Sequence, residues 1–228
     1  MAITLEQLVA EMQVRKAVTP LWETGDTNKG LPWAQRDGSL VTVDWAQALA
    51  NMGRVFFGYV GIDTTPATLD AAWANTDPDV SLDVPQGTTA IPLRITVIYE
   101  AFGTDLLAET ITLVSRTPTA YSAGTLLASI PTRTDGPVSS ACKFVQAPTV
   151  TSGYTAGAFE LFRDVYQLVG TMAAGEAGPN PKREWAVGLD GVAPVLVGPA
   201  SMATWAVSQA ATGYIQYQWA EVPSNLFT

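Results

Sequence analysis

The chain of 228 residues carries 12 basic and 21 acidic side chains, a net charge of −9, one cysteine and no histidine. Those counts remove every histidine-based nucleophilic triad, every histidine-ligated zinc or haem site and any intrachain disulfide. Charged residues are 14% of the chain against roughly 25% in ordinary soluble domains, while hydrophobic residues reach 47%. So little charge implies a surface covered by neutral polar side chains, a surface buried against other subunits, or both.

In chain order, MAITLEQLVAEMQVRK opens with Thr4 and Gln7 in capping-box spacing, and Leu5, Leu8, Val9 and Met12 recur at helical intervals. This opening has two acidic residues and lacks the charged-then-apolar order of a signal peptide. No apolar stretch approaches the ~18 residues of a membrane span, so a soluble chain without a membrane partner is expected. From Pro20 to Ser39 the composition is that of an irregular arm, rich in Gly, Asp, Asn and Pro, yet it holds Trp22 and Trp33. Large apolar side chains in a segment unfit to build a core point to an arm that packs on its own body or on a neighbour. A short helix is predicted from Asp44 to about Met52, with Trp45, Ala48, Leu49 and Met52 on one face and Gly53 as its stop.

Beyond residue 53 the period changes. Val55 to Gly61 reads as a strand, and Thr65-Pro66 opens a turn or a single helical turn towards Trp73. Val80, Leu82 and Val84 alternate with Ser81 and Asp83, and Ile91, Leu93, Ile95, Val97 and Tyr99 share one face over nine residues. Further strands are predicted at Thr110 to Leu113, Leu126 to Ile130, Val138 to Val145, Trp185 to Leu189, Val195 to Val197, Thr204 to Val207 and Gly213 to Val222. Phe159 to Val169 fits both a helix and a bulged strand, with strand favoured by its neighbours. Ala173 to Pro181 reads as an exposed loop. Eight or nine short strands separated by turn residues imply a mainly β fold of two packed antiparallel sheets. The expected division is 1–53, helix and arm with inter-subunit contacts, and 54–228, a β-sandwich domain.

The candidate chemistry is thin. Asp77, Asp79 and Asp83 offer oxygen ligands but lack the glycine and distal glutamate of a calcium loop, and the alternation of Asp79, Ser81 and Asp83 reads as a solvated strand face. Glu100, Glu109, Glu160 and Glu221 are the candidates for a glycosidase pair, which sequence cannot place across a cleft. Cys142 reads as a small buried hydrophobe, and Arg133, Lys182 and Arg183 as isolated surface or interface cations. No loop carries the pattern that aims amides at a phosphate. The sequence thus points to no catalytic residue, no metal ligand set and no cofactor. In GYIQYQWAEVP, Ile215, Tyr217 and Trp219 share a core face, leaving Gln216 and Gln218 on a face for water or a partner.

DVPQGTTAIPLRITVIYE, the upstream TTPATLDAAW and the terminal TGYIQYQWAEVP resemble the jelly-roll structural proteins of virus and phage particles, over roughly the last three quarters of the chain. The resemblance implies a jelly-roll-like antiparallel β-sandwich that assembles as a symmetric oligomer, commonly a trimer, in a capsid, its decoration or a spike. The implied function is that of a virion structural protein whose partners are copies of itself and other virion proteins, with Trp22, Trp33, Gln216 and Gln218 as interface candidates. A polybasic arm is missing, so direct contact with nucleic acid is not expected. The alternative is a carbohydrate- or receptor-binding module of a phage spike or tail, which would cluster exposed aromatic side chains at one end.

Overall fold

A carboxyl-terminal run in which Ile215, Tyr217 and Trp219 alternate with Tyr214, Gln216 and Gln218 has one face fit for a core, and it forms the middle of a sheet. The computed structural model describes residues 45–62, 64–70, 72–102, 107–116, 121–135, 139–150, 154, 158–167, 182–207 and 211–224. The expected amino-terminal helix, the arm with Trp22 and Trp33, and the loop Ala173 to Pro181 lie outside these residues.

The first sheet has the order β10 (Lys182–Ala186), β4 (Thr88–Phe102), β13 (Ala211–Pro223), β1 (Val55–Val60), β7 (Ile130–Pro131). Two short strands join it, β11 (Leu196–Val197) on β4 and β2 (Ala67–Leu69) on β13. The second sheet runs β6 (Tyr121–Leu127), β8 (Lys143–Val150), β3 (Val80–Val84), β12 (Ala200–Val207), β5 (Leu107–Ser115), β9 (Ala158–Gln167). These pairings are antiparallel, and the two sheets pack as a β-sandwich. The pairs nest like the two arms of a long hairpin: β1 with β13, β3 with β12, β4 with β10 and β5 with β9. Successive pairs fall in alternate sheets.

Phe56, Tyr217 and Trp219 from the first sheet meet Phe144 from the second, with Phe144 5.4 Å from Tyr217 and 5.9 Å from Trp219 between ring centroids. Gly58 makes this contact possible, since a Cβ there would lie 2.5 Å from the Phe144 ring. Polar threads also cross the core. The Thr204 hydroxyl bonds Thr112 at 2.7 Å and the Tyr217 hydroxyl at 2.5 Å, and Tyr99 bonds Thr110 at 2.8 Å. Thr110 and Thr112 therefore face inward, and their apolar neighbour Ile111 turns to a second cluster on the outer side of this sheet with Val150, Tyr154, Ala203 and Trp205. Because both faces of the second sheet are covered at its centre, in β3, β12 and β5, alternation of Thr with Ile and Leu did not mark a water-facing side.

The helix α1 (Trp45–Asn51) covers part of the outer face of the first sheet through Leu49, with Ala46 and Ala50 beside it. This corrects the predicted face, since Trp45 is 44% exposed. Two alanines flanking Leu49 let the helix lie close to Val55, Leu93, Ala220 and Val222. The nine-residue alternation in β4 is also not one face. The pairing with β13 skips Leu93, so Ile95, Val97 and Tyr99 enter the core, whereas Ile91 and Leu93 pack under α1. Phe159 to Val169 is a strand as far as Gln167, with a register shift at Leu161. Where a turn towards Trp73 was predicted, Ala67–Leu69 pairs with β13.

Candidate functional site

The outer face of the first sheet collects the interface candidates that fall within the described residues. Tyr59 of β1 lies opposite Gln216, which lies opposite Thr96 of β4; Phe57, Gln218 and Arg94 form the next row. The Phe57 and Tyr59 rings stack at 6.0 Å, Gln216 Nε2 donates to the Tyr59 hydroxyl at 3.4 Å, and half-exposed Ile130 sits beside Phe57. Toward β10 the face becomes ionic: Arg94 Nη2 lies 2.5 Å from Glu184 Oε2, and Lys182 pairs with the same oxygen. Partial burial works to raise the Glu184 carboxyl, and the bonds from Arg94 and Lys182 outweigh it, holding it below the usual range. An aromatic pair beside amides and compensated charges is a surface suited to contact with another protein.

Gln216 and Gln218 thus share one face, while Trp22 and Trp33 fall outside the described residues. Phe57 and Tyr59 were missed as members of this face. The signal was present in Val55–Val60, where Gly58 marks the inward side between Phe56 and Val60 and so turns Phe57 and Tyr59 outward.

A second concentration of function-bearing groups lies where the segment 70–79 crosses the second sheet. Asp70, Asp77, Pro78, Pro148 and Thr149 line a cleft of about 500 Å³. Asp79, expected on a solvated face, is 4% exposed. Its two carboxylate oxygens accept the amide N–H groups of Asp70, at 2.8 Å, and Ala206, at 2.7 Å. Burial pushes its pKa up to about 7, aided by the nearby Asp70 and opposed by the two amides. Burial, with help from Asp77, also raises Asp70. Ser81 is fully buried as well, so the predicted solvated reading of this strand is overturned for Asp79 and Ser81. The outer side of β3 is covered because Trp73 lies on Trp205 at 4.6 Å and Tyr154 meets the same indole edge-on. Among the described residues, no group of three or more acidic or cysteine side chains is placed to hold a metal ion.

Of the candidate glycosidase carboxylates, Glu100 is exposed and the other three have partners. Glu109 and Glu160 both engage Arg163 across β5 and β9. Glu221 accepts from Trp219 Nε1 at 2.8 Å, from the Ala141 amide at 2.8 Å and from the Ser140 hydroxyl, which ties the segment before β8 to β13. Cys142 is buried in this clasp, and burial together with Glu221 pushes its thiol up. Arg133 pairs with Asp135, Arg183 with Asp164, and Lys182 with Glu184, as expected of isolated surface cations. No helix among the described residues is long and apolar enough to cross a membrane. No family model matches the chain, no curated protein matches it, and no solved structure matches its fold.

Proposed function

We propose that this chain is a virion structural protein with a jelly-roll fold, a capsid or capsid-decorating subunit that associates with copies of itself and with other virion proteins. The nested pairing supports the jelly-roll reading: a long antiparallel hairpin of eight strands, rolled so that successive pairs enter opposite sheets, gives the neighbours β1, β13, β4, β10 in one sheet and β3, β12, β5, β9 in the other. On this reading β6 and β8 extend the second sheet beyond β3.

A fold of this kind hosts many activities, so the assembly reading needs a surface that supports it. The observation that carries it is an apolar projection held in fixed shape. Leu189 is 84% and Val192 91% exposed, in the loop between β10 and β11. The loop is braced by Gly188 N–H to the Gly191 carbonyl at 2.9 Å and by Ala186 N–H to Asp190 Oδ2 at 2.7 Å. The sandwich already has a filled core, so these side chains serve contact rather than folding. Charge-compensated rows on the outer face of the first sheet add a second surface of the same character. The receptor-binding alternative calls for aromatics gathered at one end, whereas Phe57 with Tyr59 and Trp73 with Trp205 lie on the outer faces of different sheets.

Size-exclusion chromatography with light scattering at micromolar concentration tests the proposal. The expected species is a closed oligomer, and a 24.1 kDa monomer would overturn it. Trp22→Ala is expected to weaken association by more than ~1 kcal/mol with the sandwich intact. Leu189→Asp with Val192→Asp should shift the elution toward monomer. Quenching of tryptophan fluorescence by glycans would instead favour the receptor-binding module.

A further inference from the structure

Asp79 joins three parts of the second sheet's surroundings to one another. Its side chain accepts amides from Asp70, at the end of β2, and from Ala206 in β12. Its own amide donates to the Thr204 carbonyl at 3.0 Å, and its carbonyl accepts the Ala147 amide of β8 at 2.8 Å. The segment it anchors is the one that lays Trp73 on Trp205 and receives the Trp205 Nε1 hydrogen bond on the Ala74 carbonyl at 2.7 Å. Opening this segment would expose Trp205 and release Asp79 into water.

The charged and titratable groups around Asp79 are few. Asp70 acts on it from the end of β2, with Asp77 acting on Asp70 in turn from the same segment. Tyr99 of β4 and Tyr217 of β13 lie within its electrostatic reach, and burial keeps both phenols protonated far above neutrality. The groups that bond it from β12 and β8 are backbone groups of Thr204, Ala206 and Ala147. Among the described residues no Lys or Arg forms an ion pair with Asp79. A buried carboxylate with acidic neighbours and no cation is stable as the neutral acid and costly as the anion, a cost that two amide donors reduce without cancelling.

We propose that Asp79 is a pH-operated clamp: in its neutral form it keeps the 70–79 segment closed on the second sheet, and its ionisation favours the open segment, where the carboxylate is hydrated. The raised pKa of about 7 places the response across neutrality. The direction follows from linkage. In the open segment the carboxyl ionises at its ordinary value near 3.8, so between about pH 4 and 7 the opening equilibrium rises roughly tenfold per pH unit, and above that it levels off. The chain has no histidine, so no imidazole titrates in this window. The clamp does not depend on the assembly reading.

Hydrogen exchange of the full-length chain reads the clamp directly. Protection factors of the Asp70 and Ala206 amides, corrected for intrinsic exchange chemistry, should fall steeply from about pH 5 to 7 and flatten above it. Tryptophan emission should follow the same curve as Trp73 leaves Trp205. Asp79→Asn should make both signals independent of pH, and acetylation of the α-amino group should leave them unchanged. Retention of the wild-type pH response in folded Asp79→Asn would overturn the proposal. Should that variant fail to fold, the carboxyl carbon of Asp79 in the wild-type chain decides by NMR. A midpoint near neutrality supports the clamp, and one near the ordinary aspartate value removes it.

Discussion

At Gly58 the chain gives up a side chain so that Phe144, from the opposite sheet, can lie against β1. Gly58→Ala should overpack this contact and cost about 1–3 kcal/mol in urea denaturation. Pairing it with Phe144→Leu should recover part of the loss, since the two positions share one volume. Glu221 is the opposite case, a polar group whose absence would strand others. Glu221→Ala leaves the Trp219 indole, the Ala141 amide and the Ser140 hydroxyl without their acceptor, and a loss above about 3 kcal/mol is expected by the same measurement. Asp79 sets the sign of a pH effect on the whole fold. Its folded pKa lies above its unfolded one, so its stabilising share is complete below about pH 4 and lost as pH rises through about 7, on the order of 4 kcal/mol in all. Glu184 works in the other sense, since its lowered pKa gives stability that is lost as pH falls through that value. A stability optimum on the acid side of neutrality should appear in urea titrations. The burial of Asp79 was not legible in the sequence, because alternation identifies two faces and says nothing about whether Trp73 and Trp205 close the second one.

The elements themselves were easier to read than their faces. β3 and β13 lie where period-2 patterning put them, β1 lies where its β-branched and aromatic composition put it, β12 starts at Ala200, ahead of the predicted Thr204 to Val207, and Phe159 to Gln167 follows its strand template, shifted in register at Leu161. β6 was found only in part and β2 was not found. Ala67–Leu69 is too short to carry a period, and it is a strand because β13 offers it an edge beyond the end of β1. In β4 the apolar residues recur without a break from Ile91 to Tyr99, but the extra Leu93 turns the first part toward α1. The pattern hid the bulge because both faces are apolar there. Deleting Leu93 should let the ladder run unbroken with Ile91 still opposite Ala220 and Ala90 still in the core, and should remove only the Leu93 side chain from beneath α1. A destabilisation on the order of 2–3 kcal/mol is expected from urea unfolding, with strand content by circular dichroism retained.

At the scale of the molecule, a net charge of −9 would oppose the proposed self-association through the apolar loop and the outer sheet face. Association should therefore tighten as salt is added up to physiological strength, because screening reduces the mutual repulsion. Sedimentation across a salt series would measure this, and weakening with salt would point instead to contacts made by ion pairs. The sandwich as a class was legible from strand count and turn spacing, and the shared outward face of Gln216 and Gln218 was legible from alternation alone. Which strands are neighbours was not, because pairs such as β1 with β13 join residues more than a hundred positions apart, and no local pattern encodes that.

That distant pairing bears on how the polypeptide can be made. β13 lies between β1 and β4, so a nascent chain that has not yet reached Ala211 holds the two flanks of its first sheet with no centre to unite them. During synthesis Phe56, Val60, Ile95 and Val97 have no permanent shelter. Truncated chains that end before Ala211 are therefore expected to leave these residues uncovered and to aggregate, which a pelleting assay would read.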